Sequence, residues 1–99
     1  MEIKKEEVMS MLGNYKGTEN LVSKTSGNNV NNQIVTKFEN GSTLTSYGTL
    51  VGVKVNGQLY LTSAHTFSKT TNKYVTQWCG MTKEERLSKI ENCEICMIV

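Results

Sequence analysis

Apolar and polar residues alternate most clearly in the middle of the chain. Val51, Val53 and Val55 are separated by Gly52 and Lys54, and Leu59 and Leu61 alternate with Tyr60 and Thr62. A period of two marks strands that bury one face. Asn56-Gly57 lies between the two runs, and that dipeptide readily supplies the positive φ values of a tight hairpin turn. Upstream, residues 33–39 alternate through Ile34, Thr36 and Phe38, and a second pair, Asn40-Gly41, turns the chain into residues 42–55. Two such turns in succession predict a three-stranded antiparallel meander. Gly48 and Gly52 in its long middle strand invite a bulge or bend.

The period changes after Thr66. Thr71, Tyr74, Val75 and Trp78 fall at helical spacing, Ser68 stands where an N-cap hydroxyl is needed, and Gly80 ends the helix predicted over 67–79. Thr82 and Glu85 form a capping box for a second helix with a narrow stripe of Leu87 and Ile90, closed by Asn92. Residues 94–99 return as a strand that joins the meander as an edge or fourth strand. At the other end, residues 1–14 hold an amphipathic helix with Val8, Met9, Met11 and Leu12 on its apolar side, ended by Gly13 and Asn14. Residues 15–32 are polar and broken by glycines, so they read as a long loop with room for a short strand at Leu21-Val22. The expected fold is a single α+β domain over 1–99. In it the N-terminal helix comes first, and residues 33–99 supply the sheet and the C-terminal helices.

Composition adds limits. A chain of 99 residues supports one small core. Its formal net charge of +2 is milder than that of most nucleic-acid-binding domains. Residues 1–7 are charged where a secretory segment is apolar, and the longest apolar run, 95–99, is far too short to span a membrane. The expectation is an intracellular protein with reduced thiols, because three cysteines are too few and too odd for a disulfide framework.

Ser46, Tyr47 and Thr49, followed after the hairpin by Phe67, Ser68, Thr70, Thr71, Lys73 and Tyr74, form a pattern. It resembles a small uncharacterised domain family of bacteriophage and mobile-element proteins, with a Ser-Tyr-x-Thr and aromatic-Ser-x-Thr-Thr-x-basic-aromatic signature. The resemblance covers the second half of the chain. It implies phage or mobile-element origin and a bacterial cytoplasmic setting, and carries no established chemistry.

Candidate chemistry is sparse. Cys93 and Cys96 have zinc-ligand spacing, and Cys79 with the single histidine, His65, completes a set of four. A strand over 94–99 points Cys93 and Cys96 to opposite faces, so free thiols are the preferred reading. The last four residues have the form of a prenylation box, which a bacterial host does not process. A Cys–His catalytic pair lacks any orienting group, His65 reads as a surface or strand-end residue, and no phosphate-binding glycine loop is present. The chain therefore reads as a non-enzyme with no cofactor.

Ser68, Lys69, Thr70, Asn72 and Lys73 place hydroxyls, an amide and two ammonium groups at a helix N-terminus, where a partner's phosphate or carboxylate can bind. The plainer alternative is a cap with a solvated face. The expected role is binding and inhibiting or modulating a host protein, with a host-defence (CRISPR) effector as the leading partner. The alternative is a nucleic-acid-binding accessory protein using Lys69, Lys73, Lys83 and Arg86. Tyr47, Tyr60, Tyr74 and Trp78 serve either base stacking or the core.

Overall fold

In the computed structural model, which describes residues 1–99, Asn56 and Gly57 take positive φ of 52° and 79°. They join β5 (Thr49–Val55) to β6 (Gln58–Leu61) as antiparallel neighbours. The remaining elements are β1 (Glu2–Ile3), α1 (Lys5–Ser10), β2 (Tyr15–Val22), β3 (Asn29–Phe38), β4 (Gly41–Ser46), a 3-10 turn (Ser63–Thr66), α2 (Lys69–Cys79), α3 (Lys83–Glu91) and β7 (Cys96–Ile98). The class is α+β. The sheet has seven strands in the order β1-β7-β6-β5-β4-β3-β2, antiparallel from β2 to β6 and parallel at β6/β7 and β7/β1.

Seven strands replace the expected three-stranded meander and its added C-terminal strand for identifiable reasons. The long strand over 42–55 breaks at Tyr47 and Gly48, whose φ values of 51° and 80° make a tight reversal between β4 and β5. A tyrosine there gives no turn signal, so the alternation runs straight through it. The polar stretch 15–32 is not a loop: it supplies β2 and the start of β3, leaving only residues 23–28 between them. As an edge strand, β2 has no fully buried residue and only Leu21 packed against the core, so no apolar period marks it. The N-terminal helix shrinks to six residues because Glu2 and Ile3 pair with Met97 and Ile98. The C-terminal strand sits between β6 and β1 rather than at the edge.

A register shift between Leu44 and Thr45 divides the core. Leu44 pairs with Gly52 and Thr45 with Leu50, leaving Val51 as the extra residue of a bulge. Val51 therefore packs with Val35, Leu44, Leu59, Leu61, Val75 and Trp78 on the α2 side. Val53 and Val55 pack with Val8, Leu12 and Ile98 on the α1 side. The even 51-53-55 alternation does not predict this split. Trp78 is 8% exposed and lies over Gly52, where a Cβ would stand 3.0 Å from the indole ring. Lys54 completes the seat, with Nζ 4.6 Å from the ring centroid and donating to the Trp78 carbonyl at 2.9 Å.

The second expected turn is also displaced. Phe38 pairs with Gly41, so Glu39 and Asn40 form the loop, and neither has positive φ. The Asn40 backbone N–H donates to the Leu12 carbonyl at 2.9 Å and its side chain to Met11 at 3.1 Å, tying this turn to the end of α1. Gly41 is required for closeness instead: any Cβ there runs into the Lys54 carbonyl oxygen. Gly41→Ala and Gly41→Asn are both expected to lower unfolding free energy by about 2–3 kcal/mol in urea titrations. Rescue by asparagine, which tolerates left-handed turns, would show that Gly41 serves the turn after all.

Candidate functional site

The start of α2 is fixed by hydroxyl groups. Ser68 Oγ accepts the Thr71 N–H at 3.1 Å as N-cap and donates to Thr71 Oγ1, also at 3.1 Å. Ser46 Oγ, at the end of β4, lies 3.1 Å from the same Thr71 hydroxyl. The two sequence patterns that begin at Ser46 and Phe67 therefore meet in space. Ser46, Tyr47, Thr49, Phe67, Ser68 and Thr71 line one cleft of about 200 Å³. Its aromatic walls are open, with Tyr47 62% and Phe67 71% exposed.

A second cavity of about 240 Å³ shares Phe67 and Ser68 and is completed by Thr66, Lys69, Asn72 and Lys83. Of the expected binding residues, Ser68, Lys69 and Asn72 come together here. Thr70 and Lys73 line neither cavity, and the Lys73 ammonium sits 5.3 Å from the Tyr74 ring centroid. Tyr47 and Lys83 lie outside that helix-terminal set because they are distant from Ser68 in sequence, while Thr66 precedes the cap by two residues and carries no capping signal of its own.

Arg86 overturns its expected place on a basic surface. It is fully buried, whereas Leu87, expected on the apolar stripe of α3, is 46% exposed. The guanidinium donates to His65 Nδ1 at 3.1 Å, Thr76 Oγ1 at 2.9 Å, the Met81 carbonyl at 2.9 Å and Asn72 Oδ1. No carboxylate is among these partners. His65, expected at the surface or a strand end, is buried in the 3-10 turn after β6 and has its pKa lowered to about 4, first by burial and then by the Arg86 and Lys83 charges. Thr62 holds the turn that carries His65, accepting from Ala64 N–H at 3.2 Å and donating to Leu50 at 2.7 Å. Arg86 holds the Asn72 amide through its oxygen, and Asn72 lines the second cavity.

With this geometry in place, a family model matches residues 12–93 and is described as a family of unknown function (DUF8033). The chain belongs to that family. No curated protein and no solved structure matches it. The DUF8033 span contains β2 through α3 and so both cavities beside α2, while β1, α1 and β7 lie outside it.

The four-ligand zinc set does not assemble. No group of three or more histidine, cysteine or acidic side chains is placed to hold a metal ion, and Cys79, Cys93, Cys96 and His65 do not meet. Cys93 adopts φ of 60° outside β7, so the expected alternation of Cys93 and Cys96 across a strand does not apply. No helix is long and apolar enough to cross a membrane.

Gln33 lies in β3 opposite Ser46 and directly after Asn32, whose φ is 67°. It is fully buried with neither amide atom hydrogen-bonded. An unsatisfied buried amide is costly, so Gln33→Met is expected to raise unfolding free energy by about 1–2 kcal/mol. Thermal and urea unfolding read this directly, and a loss of stability would show that the amide has a partner.

Proposed function

We propose that this protein is a non-enzymatic binding module that docks on a partner protein through the start of α2 and inhibits or redirects it. The carrying observation is the pair of exposed rings, Tyr47 and Phe67, set around a cleft whose hydroxyls are bonded to one another. Exposed aromatic side chains on a rigid frame are the usual anchors of protein interfaces. The adjoining cavity offers mainly donors: the Lys69 and Lys83 ammonium groups, the Asn72 amide N–H and the unpaired first-turn amides of α2. A partner surface bearing carboxylates suits it. The resemblance to phage and mobile-element domains supports a host protein in the bacterial cytoplasm as the partner, with a CRISPR effector as the leading candidate.

The test is affinity capture from host lysate followed by a purified pairwise titration. Tyr47→Ala with Phe67→Ala is expected to weaken binding by about 2–4 kcal/mol while leaving the fold intact. Undiminished binding by the double variant discards this surface.

Lys69 and Lys83 on one cavity also favour the nucleic-acid reading, now without Arg86. A gel-shift series decides between them. Binding that falls steeply with salt supports the nucleic-acid role, and no binding at low salt removes it.

A further inference from the structure

The largest cavity of the molecule, about 670 Å³, shares no lining residue with the two cavities beside α2. Cys93, Cys96 and Met1 line it, together with the carboxylates Glu2, Glu7 and Glu94. The backbone explains why two cysteines three positions apart reach one void. Cys93 is in the left-handed region, and the Glu94 and Ile95 N–H groups both turn back to the Lys89 carbonyl, at 2.7 and 3.1 Å. The chain is thus folded against the end of α3 between them, and Cys96 opens β7. Cys93 is exposed and Cys96 half-buried, so a solute can approach both.

The ligand's class follows from what is present and what is missing. Zinc wants four nitrogen, sulfur or oxygen ligands in a closed tetrahedron, and no group of three or more such side chains is assembled. Two thiolates are enough for a soft d¹⁰ monovalent ion, which accepts two or three ligands and prefers sulfur. Met1, with its soft thioether, lines the same cavity, and the three carboxylates favour a cation over an anion.

We propose that Cys93 and Cys96 bind a thiophilic monovalent cation of the cuprous class. In the binding step two S–H bonds break and two metal–sulfur bonds form. Two protons leave to solvent, and no electron is transferred.

The test uses the reduced full chain under anaerobic conditions, with cuprous ion supplied as its coloured bicinchoninate complex. The expected result is withdrawal of one ion per chain, with affinity falling more than about tenfold in Cys93→Ser and in Cys96→Ser and unchanged in Cys79→Ser. In the unaltered protein, bound cuprous ion should also shield Cys93 and Cys96, but not Cys79, from iodoacetamide, a readout that needs no variant to fold. The proposal is overturned if no ion is withdrawn, if the double serine variant withdraws as much, if alkylation is unaffected, or if zinc displaces the cuprous ion.

Discussion

Arg86→Ala is expected to lower unfolding free energy by about 3–5 kcal/mol, because it strands several buried acceptors and opens a cavity. The guanidinium donates to His65 Nδ1 and Asn72 Oδ1 and also serves Thr76 and the Met81 carbonyl. Removing it leaves a void among α2, α3 and the 3-10 turn and strands buried acceptors. Arg86→Lys should recover little, because one ammonium cannot reproduce a planar fork that reaches several directions at once. Urea midpoints measure both variants. If Arg86→Ala instead kept full stability and lost only affinity for nucleic acid, the residue would belong to a binding surface and the buried network would be wrong.

The second large effect is pH dependence at His65. Its folded pKa of about 4 lies below the ordinary 6.5, so between those values the unfolded chain binds the extra proton. Stability is therefore complete above about pH 6.5 and falls as pH drops toward 4, by roughly 3 kcal/mol in all. The sign follows from the neighbours: Arg86 donates to the unprotonated Nδ1, and Arg86 and Lys83 both repel an imidazolium. His65→Asn retains an acceptor and cannot titrate. The difference between its stability profile and that of the unaltered protein should contain this slope, and two parallel profiles would exclude a buried neutral imidazole. Acid loosening at this position also bears on the proposed site, since Arg86 orients Asn72 at the cavity wall.

Local features were legible where the physics is local. Ser68 and Gly80 bound α2 as expected, with Gly80 at φ 77°, and the Thr82–Glu85 capping box is complete. The Asn56-Gly57 hairpin forms where the dipeptide places it, and Trp78 is buried on the sheet. Each depends on a side chain meeting backbone within a few residues, or on a period that survives in the sequence.

Other features had no such signature. Tyr47-Gly48 reverses the chain without an Asn-Gly or Asp-Gly cue, and β2 is an edge whose polar residues resemble a loop. Val51 changes sides because of a bulge set by cross-strand register. Of the candidate site, Ser68, Lys69 and Asn72 could be named from helix-start chemistry, but Tyr47 joins them only because β4 ends beside α2.

By itself, then, the sequence determined the α+β class, the central hairpin and the caps of the two C-terminal helices, because turn and cap chemistry acts over three or four residues. Only the tertiary structure decided that Arg86 and His65 face inward and that Ser46 meets Thr71. It also decided that Cys93 and Cys96 share a cavity. A side chain's polarity states the cost of burying it, while the acceptors that offset that cost come from distant parts of the chain.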